Sequence, residues 1–68
     1  MLRAVLVKLF ADRQVAVDEN LIGYIATRIE RSFAAARAIV AELDREALRQ
    51  QRPVTRALAG ELLRDSVG

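Results

Sequence analysis

Residues 27–48, TRIERSFAAARAIVAELDREAL, decide the fold. Phe33, Ala36, Val40, Leu43 and Ala47 recur there at alternating spacings of three and four. That is the narrow apolar seam of a helix packed against others, and Ile39 widens it. The spacing predicts a helix over 31–49 with Phe33 at the head of its buried stripe. Ala34, Ala35, Ala38 and Ala41 keep the rest of its surface small, so neighbouring helices can approach closely. This helix is expected to be central. Its beginning poses a problem, because Arg28, Arg31 and Arg37 crowd a helix start, where the peptide dipoles already place positive charge.

Upstream, Leu2, Val5, Leu6, Leu9 and Phe10 share one helical face, which predicts a helix over 2–13. Gln14 to Val17 breaks the period and reads as an extended connector. Asp18 is the expected N-cap of the next helix, with Glu19 in its first turn. Leu21, Ile22, Ile25 and Ile29 mark the inner face of that helix, over 19–28. Gly23 lies inside it at a cost of roughly 1 kcal/mol against Ala. Either it is merely tolerated, or it admits the close approach of another backbone.

Downstream, Gln50 to Pro53 is a connector, because Pro53 disfavours a helical conformation at Arg52. Thr55 is the next cap candidate, and a helix over 56–65 follows, with Leu58, Leu62 and Leu63 inward. Ser66 to Gly68 is expected to fray. The fold class is therefore all-α, a small bundle of four short helices.

Composition narrows the chemistry. A chain of 68 residues forms one small domain, whose ordering costs roughly 1.5 kcal/mol per residue. With neither Cys nor His, it has no disulfide framework, no thiolate or imidazole metal site and no Cys or His catalytic machinery. Eleven cations face nine anions and alternate with them along the chain, which is the pattern of a solvated helical surface. The apolar residues of the first segment are periodic and interrupted by Arg3 and Lys8, unlike a secretory signal. No stretch approaches the roughly 18 apolar residues of a membrane span. A cytoplasmic location without membrane contact is the expectation.

No acidic pair stands out from the surface charge, so independent catalysis is not expected. The chain carries neither a GxxxxGK[ST] loop nor a GxGxxG turn. Arg31 could reach phosphate oxygens, since a guanidinium beside a helix start suits them. It could equally pair with Glu30 or with an acid on a neighbouring helix. Arg45, Arg49, Arg52 and Arg56 form a basic strip, read first as a solvated face and second as a contact for a protein partner or DNA.

The pieces RIERSF at 28–33, ELDREAL at 42–48 and RPVTRALAGELL at 52–63 give a resemblance that covers nearly the whole chain. The chain resembles the C-terminal lid subdomain of DnaA-related AAA+ ATPases, closest to the Hda type of alphaproteobacteria. That family has an R-[LI]-[DE]-R turn before its third lid helix, an LDR stretch, and R-x-[LV]-T before its last helix. The resemblance implies a lid that folds over a nucleotide held by a larger base domain. Arg31 then matches the sensor 2 arginine, directed at the phosphates of ADP or ATP, while the fragment alone carries no cofactor. The implied partners are the AAA+ base domain of a parent chain and DnaA or another AAA+ neighbour. The implied setting is control of chromosome replication initiation. The base domain's Walker motifs, sensor 1 strand and arginine finger are not in this sequence, nor is the family's clamp-binding segment. The resemblance thus implies a piece of a longer protein, with no activity of its own.

Two other readings compete. One is a free-standing helical interaction module that forms a homo-oligomer, a dimer through the Ala-rich third helix, or binds an acidic partner. The other is a small DNA-binding domain using Arg49, Arg52 and Arg56. It ranks last, since after Thr55 and Arg56 the fourth helix is mostly apolar, and direct nucleic-acid binding is not expected. A detached lid should also leave an apolar patch exposed, with Leu2, Val5, Leu9, Leu21 and Tyr24 as candidates.

Overall fold

The computed structural model describes residues 2–67, with side chains described through residue 63. It consists of α1 (Leu2–Asp12), α2 (Glu19–Arg28), α3 (Phe33–Gln50) and α4 (Arg56–Val67). No strand occurs among the described residues. The all-α reading holds, and four helix boundaries shift, one of them the end of α3 at Gln50 rather than Arg49. α3 starts at Phe33 rather than Arg31, α1 ends one residue short of Arg13, and α4 continues past 65 through Val67. The predicted fraying therefore does not extend to the backbone of Ser66 and Val67, and Gly68 lies outside the described residues.

Each helix begins and ends for a local reason. The Asp18 carboxylate accepts from the Leu21 amide at 2.9 Å and caps α2 as expected. The Ser32 hydroxyl does the same for α3, accepting from Ala35 N at 3.0 Å. Thr55 caps α4 through Leu58 N at 3.3 Å. α1 and α3 stop by one device, in which a glutamine turns left-handed: Gln14 at φ 59° and Gln51 at φ 55°. Beyond each, an amide reaches back across the last turn, Val15 N to Phe10 O at 3.0 Å and Arg52 N to Ala47 O at 2.9 Å. This is the Schellman closure, which usually employs Gly at the left-handed residue.

α1 packs against α2 and α3, and α4 packs against α2 and α3, so the helices form a ring around one core. Leu6 and Phe10 of α1, Leu21 and Ile25 of α2, Val40 and Leu43 of α3, and Leu58 of α4 are fully buried at its centre. Burying each such side chain contributes about 1.5–3 kcal/mol. No charged side chain is buried among the described residues. α1 and α3 run in the same direction. The first turn of α1 lies beside the start of α3, while Arg13, just past its end, reaches Asp44 well along α3.

Three expectations about packing are corrected. Phe33 does not head the buried stripe, being 59% exposed, because it is the first residue of α3 and no helix reaches over it. Leu21, expected in an exposed patch, is fully buried, while Leu2, Val5, Leu9 and Tyr24 pack against the core's edge. Among the described residues the exposed large apolar ones are instead Val7, Phe33 and Leu48, the last at 73%. Gly23 admits no neighbouring backbone, since a β-carbon there would meet the guanidinium of Arg3 at 2.9 Å. No helix among the described residues is long and apolar enough to cross a membrane.

Candidate functional site

The opening problem of the crowded arginines resolves differently for each residue. Arg28 lies in the last turn of α2, where a cation is favoured by the dipole rather than opposed. Its guanidinium also sits over the Tyr24 ring, 4.5 Å from the centroid. Arg37 lies one turn into α3 and approaches the Phe33 ring at 5.9 Å. Such contacts at exposed sites contribute about 0.5–1 kcal/mol each. Arg31 precedes the cap Ser32, so it stands just outside α3 rather than in its first turn. It is exposed, and among the described residues it has no ion pair or side-chain hydrogen bond.

The chain reaches Arg31 through a tight turn. Ile29 turns extended while its amide still bonds to Ile25 O, and Ser32 N then closes onto Glu30 O at 2.8 Å. The turn folds over the start of α1 and forms one wall of a surface groove of about 560 Å³. Leu2, Val5 and Ala26 give the groove its apolar lining, with Phe33 at one side. Arg3, Thr27, Arg31 and Ser32 supply its polar groups. The sequence singles out Arg31 and leaves Arg3 as a surface cation of α1, and the structure places both on this groove. Only the packed helices place the Arg3 guanidinium over Gly23.

The basic strip does not behave as a unit. Arg45 approaches Glu42 at 3.7 Å, Arg49 binds Glu46 at 2.6 Å, and Arg52 binds Glu61 at 3.2 Å. Arg56 turns instead to Tyr24, 5.1 Å from the ring centroid. Glu46 is the most perturbed acid. Hydrogen bonds from Arg49, and then from Gln50 at 2.7 Å, hold its carboxyl at about 2, well below the usual 4.5. The same bond to Glu46 raises the Arg49 guanidinium further above its already high value. A strip whose guanidinium groups are occupied by carboxylates offers less charge to phosphate. Among the described residues, no group of three or more acids, His or Cys could hold a metal ion.

Comparison with known proteins finds no matching family model, no similar curated protein and no similar solved structure. What the arrangement offers is an open, apolar-lined groove with two guanidinium groups that lack carboxylate partners among the described residues.

Proposed function

We propose that this chain is the lid subdomain of an Hda/DnaA-like AAA+ ATPase. In that role it covers a nucleotide held by a base domain and packs on a neighbouring AAA+ module in control of replication initiation. Its partners are then the base domain and DnaA or a related neighbour, and its cofactor contact is to the phosphates of ADP or ATP. One observation carries the reading beyond the resemblance of its motifs. Arg31, the residue matched to the phosphate contact, is exposed at the lip of an open groove and has no carboxylate partner among the described residues. A cation left outside a helix start is locally unfavourable, and an arriving polyphosphate converts that into charge-assisted bonding.

The test is complementation in trans. A DnaA-type base module stripped of its own lid is loaded with nucleotide, and release is followed with and without this chain. Slower release with the wild type and no slowing with Arg31→Ala is the expected result. Unchanged release with both chains overturns the lid reading.

A second reading has its own observation. Leu48 is 73% exposed on α3, on the same outward side as Ala34 and Ala38, which suits a helical module that pairs with a second copy. Sedimentation decides it: a dimer that Leu48→Gln dissociates favours the interaction module, and a monomer at all concentrations removes it.

A further inference from the structure

Gly23 sits mid-helix, where Ala would be better by roughly 1 kcal/mol, and its φ is not in the left-handed region that favours glycine. What it provides is room. The Arg3 guanidinium nitrogen lies 2.9 Å from where a β-carbon would stand, so the arm of α1 lies across the bare surface of α2. From that seat Arg3 lines the same groove as Arg31. Neither has an acid partner among the described residues, although Arg13, Arg45, Arg49 and Arg52 all have one. Both guanidinium groups are therefore open to an anion that enters the groove.

We propose that Arg3 and Arg31 form a two-armed anion site, with Gly23 as the seat of the Arg3 arm, and that its ligand is a polyphosphate. The proposal rests on the lid reading for the ligand's class and adds a second phosphate-binding residue to it. A single carboxylate presents one edge and satisfies one planar fork, whereas a polyphosphate presents several oxygens on separate phosphorus centres and can satisfy both. The groove, at about 560 Å³, accommodates a molecule of nucleotide size. Ser32 adds a donor, because its hydroxyl oxygen accepts from Ala35 N while its proton remains free to turn into the groove.

The experiment titrates the 68-residue chain with tripolyphosphate and follows amide shifts by NMR at low salt. Arg3→Ala and Arg31→Ala are each expected to weaken binding by about tenfold, as the loss of one charge-assisted arm implies. Lys8→Ala serves as the control, since Lys8 is exposed on the same helix and does not line the groove. It is expected to leave binding nearly unchanged. Gly23→Ala should raise the melting temperature and change binding little, because only the flexible tip of Arg3 has to shift. Equal weakening by Lys8→Ala would show diffuse attraction and overturn the site. So would an Arg3→Ala chain that binds like wild type. Because the chain is titrated without a base module, a positive result here beside failed complementation overturns the lid reading and leaves the site standing. The reverse pair of results removes Arg3 from the phosphate contact and leaves the lid reading intact.

Discussion

The two ends of the bundle treat arginine in opposite ways. At one end meet the start of α1, the end of α2 and the start of α3, carrying Arg3, Arg28, Arg31 and Arg37. None of these has an ion pair among the described residues. At the other end lie the two glutamine-closed helix stops and the second half of α3. There Arg13 binds Asp44 at 2.8 Å, Arg49 binds Glu46 and Arg52 binds Glu61. For the arginines of α3 the cause is helical spacing. Arg45 and Arg49 each have a glutamate three residues earlier, whereas Arg37 has Phe33, Ala34, Val40 and Ala41 at the facing positions. An arginine with an acid at that spacing pairs on its own helix, while Arg13 and Arg52 find their acids on other helices. The same residue type is thus structural at one end and free to bind at the other.

Both ends hang on one core, and the largest expected effect tests that. Leu43 is fully buried on α3 between them. Leu43→Ala should cost about 2–5 kcal/mol, enough to unfold much of so small a domain. Urea unfolding followed by circular dichroism and by amide exchange should show both ends melting together. If one end keeps its protection, the comparison describes two units and not one.

Helix caps sharpen the contrast at the next level, about 1 kcal/mol each. Ser32→Ala should loosen the cationic end, and Asp18→Ala should loosen the start of α2. Their salt responses should differ, because only the Asp18 cap adds a full negative charge to a helix dipole. Raising salt should shrink the Asp18→Ala cost and leave the Ser32→Ala cost unchanged, as read from melting curves at two ionic strengths. Matching salt responses would mean that charge is not what distinguishes these starts.

How far the sequence discloses all this varies by residue. The seam of α3 and the Asp18 cap are legible because each is local, a spacing or a polar residue before an apolar run. Phe33 misleads because periodicity locates a face and cannot say where the neighbouring helices stop covering it. Ser32 is passed over because the apolar spacing extends the third helix back to Arg31, which places Ser32 inside it rather than before it. The Arg13–Asp44 pair and the seat of Arg3 over Gly23 join residues remote in the chain, and only the packed helices bring them together.

The helix stops illustrate the same point and give a smaller effect. Gln14 and Gln51 occupy a left-handed conformation that usually marks itself by Gly or Asn. Gln51→Gly should relieve strain and return about 0.5–1 kcal/mol, after allowing for the added freedom of the unfolded chain. Gln51→Ala, which keeps the β-carbon, should return nothing. Thermal melting of the two variants distinguishes them, and equal stability would mean that the left-handed residue carries no strain.

The smallest effect tests whether the paired end is stabilised by its charges. The Glu46 carboxyl is lowered from 4.5 to about 2, first by its hydrogen bond from Arg49 and then by that from Gln50. A group held below its unfolded value contributes stability that is complete above pH 4.5, and that is lost as pH falls toward 2. Acid should therefore weaken the wild type across that window, as Glu46 takes up a proton and releases Arg49. Glu46→Gln has no carboxyl to titrate there, so its stability curve should slope less between those limits. The difference should be slight, since Arg49 is 67% exposed and water and salt screen the pair. Half-molar salt should reduce it further. Parallel curves for the two proteins at low salt would mean that the close contact at the paired end contributes nothing measurable. The distinction between the ends would then rest on which arginines are free, and not on any stability gained by those that are bound.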